Sequence, residues 1–162
     1  MTPYFEDQEF VNQIYTEIGL PKGEYEACKF ISCDFQSDDF SDTRFIDCEF
    51  DNCNLSNVKL LNSALQNCRF NQCKMIGLHF EDVQDFLYSI HCSESVVDHS
   101  SFFKKKLIKS SFNHCSLKDV DFTETDLSNS KVLNCNLLNS VFENCNLQKC
   151  DFSNSHSFAI NP

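Results

Sequence analysis

A chain of 162 residues can bury one core without disulfides or metal, yet 17 Phe and 11 Cys with only 3 Gly and no Trp are too biased for an ordinary globule. A formal charge of −11 disfavours nucleic acid and anionic membrane as direct partners, since both repel an acidic surface, and favours a protein with a basic groove. The chain has no 18-residue apolar run and no signal-peptide pattern at Met1-Thr2-Pro3-Tyr4, and its cysteine count is odd, so we expect a cytoplasmic protein with reduced thiols.

The first segment, residues 5–24, places Phe5, Phe10, Tyr15 and Leu20 five apart. That spacing favours an irregular first coil or cap; Phe10, Ile14 and Ile18, with Thr2 as cap and Pro3 in the first turn, also suit a helix. Residues 25–80 then carry an apolar residue at every fifth position, from Tyr25 through Phe30, Phe50 and Phe70 to Phe80. Five matches neither the 3.6 of a helix nor the 2 of a strand, so the chain must turn at each repeat. Calling the large apolar position i, position i−2 holds Cys28, Cys33, Cys48, Cys53, Cys68 and Cys73. Large at i and small at i−2 fill a narrow interior, and the other three positions face water. Cys28, Cys48 and Cys68 recur every twenty residues, as do Cys33, Cys53 and Cys73, so one coil has four sides and Phe30, Phe50 and Phe70 stack.

Residues 81–86 contain two extra residues and predict a bulge at one corner, with no domain boundary. The frame resumes at Leu87 and runs through residues 87–157, where Cys115 and Cys135 repeat the twenty-residue interval and Phe102, Phe122 and Phe142 form a second ladder. Residues 158–162 are a short tail. The expected architecture is all-β: a single domain, residues 1–162, folded as a right-handed quadrilateral β-helix. It has about seven coils and, at about 4.8 Å per coil, a length of about 35 Å.

Cysteines spaced by five and twenty around a dry core read as packing residues rather than a metal site. No catalytic, phosphate-cradling or dinucleotide fingerprint is present, and a filled interior leaves no pocket, so we expect neither enzymatic activity nor a cofactor. Charge is the informative feature. The side through Phe40, Leu60, Phe80, Phe102, Phe122 and Phe142 collects Asp39, Asp42, Glu81, Asp82, Asp121, Glu124 and Glu143, and the next side adds Glu24, Glu26 and Asp47. Lys22, Lys59, Lys104 and Arg44 interrupt them, and Lys105, Lys106 and Lys109 follow further along the second side. These carboxylates fit either a solvated surface that keeps the solenoid soluble or partial imitation of duplex DNA. Full imitation at one charge per about 1.7 Å would take roughly twenty.

Segments such as Cys48-Glu49-Phe50-Asp51-Asn52, Cys53-Asn54-Leu55-Ser56-Asn57 and Cys145-Asn146-Leu147-Gln148-Lys149 resemble the pentapeptide-repeat signature. Within that family the chain is similar to quinolone-resistance proteins of the Qnr type and to immunity proteins against gyrase-poisoning microcins. The likeness lies in the cysteine coils from Cys28 to Cys73, in Cys73-Lys74-Met75-Ile76-Gly77-Leu78-His79-Phe80, in Asp121-Phe122-Thr123-Glu124-Thr125-Asp126-Leu127 and in Ile160-Asn161-Pro162. The resemblance implies a non-catalytic protein that binds a type II topoisomerase, DNA gyrase or topoisomerase IV, and shields it from poisons. It also implies a homodimer joined at the C-terminal end by a helical tail after the Asn-Pro, whereas this sequence stops at Pro162. A loop that projects in some Qnr proteins has a short counterpart at residues 81–86. The alternative is a general docking scaffold.

Overall fold

A computed structural model describes residues 2–159 of the chain; Met1 and the closing Ile160-Asn161-Pro162 lie outside the described residues. Each coil contributes short strands that pair in parallel with the coils above and below. On one side β1 (Tyr4–Glu6), β3 (Glu24–Glu26), β5 (Arg44–Ile46) and β7 (Ala64–Gln66) form a four-stranded ladder. On the next, β2 (Glu9–Val11), β4 (Lys29–Ile31), β6 (Glu49–Asp51), β8 (Cys68–Asn71), β9 (Ile90–Ser93), β10 (Ser111–Asn113) and β11 (Lys131–Leu133) form a seven-stranded ladder. The remaining two sides are joined by single bridges such as Asp34 to Asn54 and Asp121 to Val141. Seven stacked strands span six full turns of a right-handed β-solenoid, with partners twenty residues apart, as in Phe30 beside Phe50.

The period of five has a backbone cause. The corner residue at i+2 lies in the left-handed region on side after side, with φ of 53° at Asn52, 59° at Asn57 and 58° at Asn62. Asn and Asp tolerate that conformation better than other non-glycine residues, which accounts for their abundance. The corner side chains also bond along the axis: Asn62 Nδ2 donates to Asp42 Oδ1 (2.7 Å) and Asn67 Nδ2 to Asp47 Oδ1 (2.8 Å).

Positions i and i−2 are buried through the middle of the rod, from Tyr25 to Phe142. Phe10, Phe30, Phe50 and Phe70 stack with ring centroids 4.9, 4.8 and 5.0 Å apart, and Phe80, Phe102, Phe122 and Phe142 at 4.5, 5.4 and 4.8 Å. The i−2 residues do more than fit. Cys48 Sγ donates to the Tyr25 carbonyl (3.2 Å), Cys53 Sγ to that of Phe30 (3.3 Å), and Thr125 Oγ1 to that of Phe102 (3.0 Å). A small donor at i−2 therefore ties each coil to the carbonyl of the large residue one coil back, satisfying it in the dry interior.

The N-terminal segment is extended rather than helical: β1 and β2 stack on the second coil, Phe5, Phe10 and Tyr15 are half-buried, and Leu20 is buried. The break in the repeat lies later than expected. Phe80–Asp82 make one 3-10 turn and Val83 still fills an i−2 position. The expected resumption of the core at Leu87 fails, because Leu87 is 65% exposed in a left-handed conformation (φ 53°) and Tyr88 fills the side instead. Beyond it, pairs such as Cys68 with Ile90 and His79 with Ser101 are 22 apart, so the two extra residues fall within 84–89.

Burial pushes the thiols of Cys28 and Cys33 up from their ordinary value, and that of Cys48 up to about 12. A thiol kept neutral in the fold contributes its full stability below pH about 9 and loses it as pH rises and the unfolded chain ionises. Urea unfolding between pH 8 and 11 should show stability falling above pH 9, by about 1.4 kcal/mol per pH unit for each fully shifted thiol. A Cys48→Ser variant should show a shallower fall.

Candidate protein-binding face

Seven of the expected carboxylates do share one side, because their coils stack in register: Asp39 beside Lys59, Ser101 beside Asp121, and Glu124 bonded through its backbone to the Glu143 carbonyl. Their side chains divide into two groups. Asp39 pairs with Lys22 (3.3 Å) and Glu124 with Lys104 (3.8 Å), and Glu81 lies 3.1 Å from His79 Nδ1, which offsets its charge only when the ring is protonated. Asp39 also accepts from the Ser41 backbone, and that bonding and Lys22 hold its carboxyl below the usual carboxylate range. Asp42, Asp82 and Glu143 are exposed and make no ion pair with a described residue, and Asp121 is half-buried, accepting from its own turn at Thr123 (2.9 Å). On this side the carboxylates without a lysine or arginine partner among the described residues are therefore Asp42, Glu81, Asp82, Asp121 and Glu143.

The other three residues lie on the adjacent four-stranded side. Glu24 faces Arg44 (3.6 Å), Glu26 accepts the Tyr4 hydroxyl, and Asp47 accepts from Asn67 at the corner. On this side Glu24 and Glu26 are partnered, whereas Asp47, like Asp42 with Asn62, accepts from a corner Asn and keeps its charge exposed, free of an ion pair with a described residue. An open cleft of about 410 Å³ runs along the acidic side between Ser41, Lys59, Leu61, His79 and Asp82, and it is a surface groove, not a closed pocket. Among the described residues, no group of three or more His, Cys, Asp or Glu is placed to hold a metal ion, and no helix is long and apolar enough to cross a membrane.

Sequence reasoning expected a bulge at the frame slip but missed which side chains it exposes and buries. Phe86 is 70% exposed beside Leu87, so two large apolar side chains project from the middle of the rod. Beneath them lies Lys105, expected to face solvent with Lys106 and Lys109 but only 2% exposed. Its ammonium donates to the Val83 carbonyl and to Asp85 Oδ1 (3.0 Å), and it sits 4.4 Å from the centre of the Tyr88 ring. Lys105 thus fills the role that Cys, Ser or Thr plays elsewhere, donating from i−2 to the coil before. The signal was present in the sequence, since Lys105 occupies the i−2 position before Leu107. Burial lowers its pKa from the ordinary lysine value, with Asp85 opposing the shift.

Two family descriptions match this chain. Pentapeptide repeat region covers residues 24–102, and pentapeptide repeats in eight copies cover residues 106–137 and 121–156. The chain belongs to the pentapeptide-repeat family. Among curated proteins nothing matches. Solved pentapeptide-repeat structures include QnrB1, a plasmid-mediated fluoroquinolone resistance protein, at 18% identity over 98% of this chain and 84% of that one, with a TM-score of 0.49. HetL, involved in heterocyst differentiation regulation in the cyanobacterium Nostoc, is 11% identical over 96% and 86%, with a TM-score of 0.37. Rfr23 of the cyanobacterium Cyanothece is 11% identical over 94% and 82%, with a TM-score of 0.28. These likenesses are too distant to bear on function.

Lys105 bonds across the slip to Val83 and Asp85. A Lys105→Met variant keeps the stem's volume and removes the donor, so it should lose about 1–3 kcal/mol in urea unfolding. Hydrogen exchange should accelerate at residues 84–89 while β4 and β6 keep their protection. Unchanged exchange in the loop would show that the ammonium does not hold it.

Proposed function

We propose that this chain is a non-catalytic, cytoplasmic binding protein whose acidic side occupies the DNA-contacting surface of a type II topoisomerase. By doing so it protects DNA gyrase or topoisomerase IV from quinolone or microcin-type poisons. The observation that carries this reading is the alignment of Asp42, Asp82, Asp121 and Glu143 along one straight side, free of ion pairs with described residues. Coils stack about 4.8 Å apart, so Asp42 and Asp82, two coils apart, lie about 10 Å apart along the axis. A groove built for duplex DNA presents cations along such a line. The resemblance of the Cys28 to Cys73 coils and of the Asp121 to Leu127 segment to Qnr-type proteins supplies the choice of target. The charge density is well below that of duplex DNA, at one charge per about 1.7 Å, so the imitation is of part of one face.

The second reading, a general docking scaffold, is favoured by the bare Phe86 and Leu87, which a purely electrostatic mimic does not need. A gyrase supercoiling assay with and without a quinolone separates the two. Wild-type protein should preserve supercoiling in the presence of drug. An Asp42→Lys, Asp82→Lys variant should need at least about tenfold more protein for the same protection, as expected when a charge-steered contact is reversed. Protection that survives the charge reversal but is lost in Phe86→Ser, Leu87→Ser would favour the scaffold reading, and no effect of wild-type protein on either topoisomerase would reject topoisomerase protection.

A further inference from the structure

The side opposite the acidic one carries the reverse charge in its C-terminal half. Along the seven-stranded ladder the residues in register at i−1 run Glu9, Lys29, Glu49, Arg69, His91, Ser111 and Lys131. In the N-terminal half the signs alternate and neutralise one another, with Lys29 drawn to Glu49 (4.0 Å) and Asp51 (3.4 Å). From Arg69 onward no carboxylate interrupts the column until Asp151, which is in register with Lys131. Lys109 stands at the adjoining corner in a left-handed conformation (φ 69°), next to Asn129. Arg69, Lys109 and Lys131 make no ion pair with a described residue.

Lys109 and Lys131 border an open cleft of about 280 Å³, lined also by His91, Ser110, Ser111 and Asn129. Its walls are rich in donors. His91 is half-buried and its Nδ1 lies 2.8 Å from the Ser111 hydroxyl, which holds the ring in one orientation and leaves Nε2 as a second polar atom. We propose that this cleft is an anion site for a phosphate-class group, taken as inorganic phosphate or a phosphate monoester. Two lysines, a hydroxyl, an amide and an imidazole supply the several donors that a tetrahedral dianion accepts. A long polyanion is a poor occupant, because the same rod continues into Glu49, Asp47 and the acidic N-terminal half. Burial and the nearby Arg69 hold the His91 pKa below its ordinary value, the environment in which a bound anion acts in the opposite direction.

His91 is therefore its own reporter. Ring proton shifts of the five histidines are followed by NMR against pH, in inorganic phosphate, in glycerol phosphate and in chloride at matched ionic strength. His79, His99, His114 and His156, all exposed, serve as internal controls. Phosphate should raise the His91 pKa saturably, with chloride leaving it unchanged. A Lys109→Asn, Lys131→Gln variant, which keeps a residue suited to the left-handed corner, should weaken that response at least about tenfold. The proposal is overturned by equal shifts in chloride, by shifts shared among all five histidines, or by a response that survives in a variant whose spectrum shows an intact fold. A response to inorganic phosphate but not to the monoester would confine the site to the free ion, and the reverse to esters.

Discussion

Each side of this solenoid is five residues long because two side chains must enter the interior and the backbone must then turn a corner before the next pair. The turn is made by a residue in the left-handed region, and the two inward residues are a large apolar group and a small donor. The donor reaches the carbonyl of the large residue one coil back, as Cys53 does to Phe30. Packing along the axis and hydrogen bonding along the axis are thus the same contact seen from two residues. Removing either leaves a cavity or an unsatisfied carbonyl in a place that water does not reach.

Most of this was legible in the sequence. The period, the four sides and the stacking of Phe30 on Phe50 followed from the spacing of Phe and Cys alone. The donor role of Cys48 and Thr125 did not, because smallness already explained those residues and the carbonyl they serve lies a whole coil away. Asn52, Asn57 and Asn62 were readable as surface residues, while their left-handed backbone was not, since polarity and conformation select the same amino acids there. The frame slip misled for a clearer reason. Periodicity alone assigned Leu87 to the core, but a loop with two extra residues is free to choose among neighbours, and Tyr88 offers a larger apolar surface together with a ring for the Lys105 ammonium.

The candidate site was legible as a side of the rod and not as individual charges. Stacking Asp39, Asp42, Glu81, Asp82, Asp121, Glu124 and Glu143 required only the twenty-residue coil. Which of them stays free depended on side-chain partners such as Lys22 and Lys104, and Glu24 and Glu26 turned out to be held by Arg44 and Tyr4. A solenoid makes this distinction matter, because its sides are flat, rigid and fixed in relation to one another. An acidic side and a basic opposite edge are therefore held in fixed relation to each other.

The account rests on side chains twenty residues apart lying in contact along one axis. The most direct test is a proton NOE measurement on protein in which Phe rings alone are protonated, with assignments made through single Phe→Leu substitutions. The structure predicts strong cross-peaks from Phe30 to both Phe10 and Phe50, whose ring centroids lie 4.9 and 4.8 Å away. Absence of the Phe30 to Phe50 cross-peak in folded protein would contradict the stacked column and everything built upon it.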